Sequence, residues 1–179
     1  INSRCKWGCI QVERLLIIGK IGMNSLNNHH KESAFIDELK TSLVESFQQL
    51  NGIKKCGVLF SGGVDSSLAA LLTKGMCDEV ILFSSCTEDS RDSKIIPQAA
   101  ETLNLQLIET RMTSEDVWNV LPEVIQAIER SQRMDVEIAL PFFFSSKEAN
   151  KNGIRDIVSG QGPDELFAGY ARHVEVYKE

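Results

Sequence analysis

The sequence lacks the residues for a metal-stapled or disulfide-stapled domain. Its five cysteines, Cys5, Cys9, Cys56, Cys77 and Cys86, are odd in number, irregular in spacing and without a CxxC pair, which argues against a zinc site. Cys56 and Cys86 lie in apolar runs, where a buried reduced thiol is the ordinary reading. A reducing, cytoplasmic setting follows as the default. Long apolar runs are missing too. The longest near the N-terminus, Leu15 to Ile18, is far short of the roughly 20 residues a bilayer span needs, and there is no signal-peptide core. No membrane partner is expected. Basic residues are outnumbered, 19 Lys and Arg against 25 Asp and Glu, for a formal charge of −6. That balance disfavours nucleic acid, whose phosphate backbone rewards a basic surface. No internal repeat or low-complexity run appears.

What is present suits one globular domain. A chain of 179 residues, 42% of them apolar, can bury roughly 70% of its unfolded surface and needs no staple to fold. Residues 1–32 read as an N-terminal extension and linker, and residues 33–179 as the domain. The chain opens on Ile1, the composition of Ile1 to Gly22 differs from the rest, and Asn24 to His30 reads as a polar linker. Met23 is the expected natural start, unless the chain is a fragment. His29 and His30 are expected to be solvated, because no Cys or carboxylate spacing accompanies them.

From Ser33 the pattern is regular. Phe35, Leu39, Leu43 and Phe47 predict a helix over Ala34 to Leu50, ended by Asn51-Gly52. Gly57 to Phe60, Val80 to Phe83, Leu105 to Glu109 and Ile154 to Val158 read as buried strands. Between them Asp65 to Lys74 and Ile96 to Leu103 read as helices, with Pro97 in a first turn. Ser114 is expected to cap a helix through Val120, Pro122 to start another running to Arg130, and Pro141 to break the chain before Phe142 to Asn150. A further helix opens at Asp164. Strands apolar on both faces that alternate with helices predict an α/β fold, a parallel sheet with helices on both faces. Ligands bind such sheets beyond the carboxyl ends of the strands. The glycine turns at Ser61 and Ser159 both follow strands, so both should face one crevice.

The first turn is Ser61-Gly62-Gly63-Val64-Asp65-Ser66-Ser67. Two glycines permit positive φ and close approach to an anion. Loop amides and the following helix N-terminus make an anion site, to which Ser61, Ser66 and Ser67 add hydroxyls. Asp65 would repel a phosphate unless Mg²⁺ lay between them. No Gly-Lys-Ser/Thr follows, so this is not a Walker A loop. The second turn opens Ser159-Gly160-Gln161-Gly162-Pro163-Asp164-Glu165 and continues to Tyr170. Asp164 and Glu165 suit a first helical turn, and Asp164 offers a second carboxylate across the crevice from Asp65.

The SGGVDSS string resembles the PP-loop of the N-type ATP pyrophosphatases, which cleave ATP to AMP and pyrophosphate. SGQGPDELFAGY resembles the second signature of the asparagine synthetase family, SGEGxDELFGGY. Asp135-Val136-Glu137, Pro141 and Gly153-Ile154 resemble the stretch leading into it. The resemblance covers roughly Ser33 to His173. It implies the PP-loop ATP pyrophosphatase fold, with ATP and Mg²⁺ as cofactors, and a ligase that activates a small carboxylate, aspartate by analogy, as an acyl-adenylate. It implies Ser61, Gly62, Gly63, Ser66 and Ser67 on the phosphates, and Asp65 and Asp164 on the metal. It places the backbone around Leu59, Phe60 and Phe83 at the adenine and Ser159 and Gly160 on the nucleotide. Gln161 stands at the signature's glutamate, the catalytic position, with Glu165 as a supporting acid.

Three departures accompany the resemblance. The family's N-terminal glutaminase half has no counterpart, so a separate glutaminase subunit is an implied partner. The chain stops at Glu179, where the family continues. Gln161 replaces a glutamate. Two other readings stay open: a PP-loop tRNA-modifying enzyme, for which Cys86 is the one pointer, and a nucleotide-binding regulatory module, for which Gln161 and the short C-terminus speak. Homo-oligomerisation is left open.

Overall fold

A computed structural model describes residues 29–87, 90–167, 169 and 170. The readings for Ile1 to Gly22, Met23, Cys5 and Cys9 lie outside the described residues.

Helix α1 spans His29–Phe47 and ends in a 3-10 turn, Gln48–Leu50. It starts five residues ahead of the predicted Ala34 and takes in His29 and His30, which had been read as linker. A polar stretch is no bar to helix, since Lys and Glu are good helix formers. The predicted face holds: Phe35, Leu39 and Leu43 are half-buried and Phe47 is buried.

Four strands follow, β1 at Lys55–Leu59, β2 at Glu79–Thr87, β3 at Gln106–Met112 and β4 at Asp156–Ser159. All pair in parallel, in the order β3-β2-β1-β4. The chain walks from β1 out to β3 and then returns to lay β4 on the other side of β1. The gap between β1 and β4 is therefore the switch point, where open α/β sheets hold their ligands.

Helices cover both faces, as the sequence predicts. On one face α2 (Val64–Lys74) and α3 (Ile95–Leu103) cover Cys56, Val58, Leu82 and Val158. Helix α5 (Arg133–Lys151) packs on the other through Ala149, against Ile81, Phe83 and Ile154. Helix α4 (Ser114–Ile128) shares a third cluster with α5, built on Val120, Val124 and Val136. The short α6 is Pro163–Phe167.

Pro122 and Pro141 break neither α4 nor α5; both lie inside continuous helices. Each removes one backbone hydrogen bond, and the apolar contacts on either side of it hold the helix across the gap. The N-cap of α4 is Thr113 rather than Ser114. Its hydroxyl accepts from the Asp116 amide at 3.1 Å, and the Asp116 carboxylate accepts from the Thr113 amide at 2.9 Å. The Thr113 hydroxyl, which donates to the same carboxylate at 2.6 Å, and then the Thr113 amide hold the Asp116 carboxyl below its ordinary range. In the core, burial pushes the Cys56 thiol up to about 12, with the neighbouring Cys77 thiol adding to the effect. Burial also raises Cys77. Cys56 and Cys77 are free thiols. Among the described residues no helix is long and apolar enough to cross a membrane.

Candidate functional site

Beyond the carboxyl ends of β1 and β4 lies a crevice of about 280 Å³. The SGGVDSS turn forms one side of it. Gly62 takes φ +77°, a region that strains any other residue, and its Cα faces the Ile96 backbone at the start of α3. The turn is braced from within by Ser66, which is buried. Its hydroxyl donates to the Gly63 carbonyl at 3.1 Å, accepts from the Ser61 amide at 3.3 Å and lies 3.1 Å from the Ser61 hydroxyl. Ser61 Oγ also accepts from the Gly63 amide at 3.4 Å. The loop thus has its shape before any ligand arrives.

The second turn forms the facing side. Ser159, Gly160, Gln161, Gly162, Pro163, Asp164 and Glu165 all line the crevice, opposite Ser61, Gly63, Val64, Asp65 and Ser66. Both glycine turns therefore face one space. Asp65 and Asp164 are half-buried, whereas Gln161 and Glu165 are exposed. The Tyr170 hydroxyl donates to Glu165 Oε1.

Most of the expected residues come together. Leu59, Phe60, Ser61, Gly63, Asp65, Ser66, Ser159, Gly160, Gln161, Asp164 and Glu165 line the crevice. Gly62 and Ser67 belong to the same turn but do not line it. Phe83 does not line the crevice with its side chain. It is 1% exposed, in the core between β2 and α5, and reaches the site only through its carbonyl, which accepts from the Phe60 amide at 2.8 Å. Its position alternates with Leu82 along β2, so it points to the α5 face.

Sequence reasoning missed the third wall. Pro141, Phe142 and Ser145 of α5 enter the crevice from the other face of the sheet. Their helical spacing was the available signal, obscured by reading Pro141 as a break.

The wall residues carry three carboxylates, Asp65, Asp164 and Glu165, and no basic side chain among the described residues. An acidic crevice beside a phosphate-shaped loop fits a hard divalent cation held by two carboxylates plus ligand oxygens, as Mg²⁺ is usually held. No group of three or more potential ligating side chains occurs among the described residues.

Fold and crevice define a parallel α/β protein with a crevice at the sheet's switch point. Residues 38–179 match the family model described as asparagine synthase, and the chain belongs to that family. It is 37% identical over 163 residues to a Methanocaldococcus jannaschii protein that bears the name of a glutamine-hydrolyzing asparagine synthetase, covering 89% of this chain and 29% of that one. It is 32% identical over 124 residues to the glutamine-hydrolyzing asparagine synthetase 1 of Lotus japonicus, covering 64% and 21%. The chain thus spans less than a third of the length of these relatives. Among solved structures, the NH3-dependent NAD synthetase of Campylobacter jejuni aligns at a TM-score of 0.46 and 16% identity, over 75% of this chain and 60% of that one. That likeness is too distant to carry an argument.

Proposed function

We propose that this chain is the ATP-cleaving core of an amide-forming ligase that activates a carboxylate, aspartate by family analogy, as an acyl-adenylate. The observation that carries the reading is that Asp65 and Asp164, from two motifs far apart in sequence, line one crevice against a preformed glycine turn. We assign the working domain to residues 33–179, with residues 1–32 as an extension and linker.

In this reading the SGGVDSS turn holds the β- and γ-phosphates through its amides and Ser61, with Gly62 and Ser67 shaping and supporting it. Asp65 and Asp164 hold Mg²⁺, which neutralises the phosphate charge. Adenine lies on the apolar wall of Leu59, Phe60, Pro141 and Phe142, and Ser159 and Gly160 line the nucleotide's path. An oxygen of the substrate carboxylate attacks the α-phosphorus. The bond from that phosphorus to the α–β bridging oxygen breaks, and pyrophosphate leaves with its electron pair. The carboxylate is already ionised, so this step needs no base and the work is electrostatic. Ammonia, free or from a glutaminase partner, then attacks the acyl carbon. The bond from that carbon to the AMP oxygen breaks, and AMP leaves with the electron pair. The nitrogen loses a proton, and Gln161 and Glu165 flank its approach.

The test is ATP–pyrophosphate exchange screened across amino acids, with and without ammonia. Exchange should require Mg²⁺ and should fall on the order of 10²-fold in Asp65→Asn, because metal charge stabilisation is worth several kcal/mol. Undiminished exchange in that variant would remove the metal role. ATP binding without any pyrophosphate exchange would favour a second reading, a nucleotide-binding regulatory module, for which the neutral Gln161 speaks.

A further inference from the structure

Helix α5 brings one polar group to the crevice that the reading above leaves unused. Ser145 is 3% exposed and lines the floor beside Phe142. Its hydroxyl lies 2.8 Å from the hydroxyl of Ser85 on β2, and either oxygen can be the donor. Among the described residues neither hydroxyl has a second partner. Two hydroxyls bring two hydrogens, and their mutual bond uses only one. When Ser85 donates to Ser145, the Ser145 hydrogen is left over at the floor of the crevice.

A buried donor without an acceptor is costly, so such groups are nearly always paired. The remaining space around Ser145 is the crevice itself, with Pro141 and Phe142 as its apolar neighbours. A ligand that fits must offer a flat apolar face to those side chains and a hydrogen-bond acceptor at its edge. A purine base does both: its ring nitrogens are in-plane acceptors.

We propose that Ser145, oriented by Ser85, donates a hydrogen bond to a ring nitrogen of the nucleotide's adenine and so helps select the base. The inference rests on the nucleotide reading above. Ser85 contributes as a positioning residue: it engages the Ser145 lone pair and turns the Ser145 hydrogen toward the ligand.

Calorimetric affinities for ATP and for its 1-deaza, 3-deaza and 7-deaza analogues test this, measured with the unaltered chain and with S145A. Each analogue lacks one ring-nitrogen acceptor. The unaltered chain should bind one of the three about 3- to 10-fold more weakly than ATP, the size of one ordinary hydrogen bond. In S145A that penalty should vanish, because ATP itself falls to the affinity of the analogue. Ser145→Cys keeps the volume, offers a poor donor and should behave the same way, so a packing defect in S145A cannot decide the outcome. Equal affinities for ATP and all three analogues, or penalties that survive in both variants, overturn the inference while leaving ATP binding in place. Failure of the unaltered chain to bind ATP overturns the nucleotide reading and this inference with it.

Discussion

Gly160 lies against the backbone of Ser66 so closely that a methyl on its Cα would stand 2.8 Å from the Ser66 amide nitrogen and 2.9 Å from the Asp65 carbonyl carbon. These are main-chain atoms at the start of α2 and cannot swing aside. The two glycine turns thus share a backbone contact as well as a crevice.

Gly160→Ala should therefore be more damaging than an ordinary exposed substitution. Overpacking of this kind typically costs about 1–3 kcal/mol, and here the relief of strain moves one wall of the crevice away from the other. We expect a melting temperature several degrees lower and at least a tenfold loss of ATP affinity. A variant with unaltered affinity in calorimetry would show that the two turns do not depend on their contact.

Gln161 stands exposed at the edge of the crevice. An amide side chain cannot accept a proton from an attacking amine, whereas a glutamate can. General-base help is typically worth about 10²–10⁴ in rate. Gln161→Glu is expected to raise ammonia-dependent amide formation and to leave pyrophosphate exchange within a few-fold. A fall in amide formation, from an unaltered chain that already works at an ordinary enzymatic rate, would mean that another group serves as the base.

Cys56 ties stability to alkaline pH. Its thiol is pushed from 9.0 up to about 12, first by burial and then by Cys77. The folded state therefore favours the neutral thiol more than the unfolded chain does. That contribution is fully present below pH 9 and is lost as pH rises toward 12. The melting temperature of the unaltered chain should fall more steeply between pH 8.5 and 11 than that of Cys56→Ala, although the variant starts lower because of its cavity. Parallel slopes would show that Cys56 does not titrate this way.

Much of this architecture is legible in the chain because it is local. Val80 to Phe83 is apolar at every position, and only a strand covered on both faces uses such a run. Gly62-Gly63 after β1 announces a tight turn, and Gly62 takes positive φ there. The less legible parts depend on tertiary contacts. Pro122 and Pro141 carry a local signal for breakage, but the packing of Val120, Val124 and Val136 overrides it. Phe83 belongs to a run apolar on both faces, so which face its side chain takes, the core beside Ile154, is set by strand alternation in the folded sheet. Ser145 could not be found by motif, because its significance arises from a hydroxyl partner 60 residues away on β2.

The insertion of β4 beside β1 has a consequence for the order in which the protein becomes competent. Asp65 and Asp164 are roughly a hundred residues apart in the chain, and pairings that distant form late because a large loop must first be closed. A nascent chain that has emerged only through β3 has the first glycine turn but no opposite wall. On the proposed function it could not yet hold a nucleotide. Competence appears in one step, when the last strand docks, and any ligand that spans both turns will favour that step over its reversal.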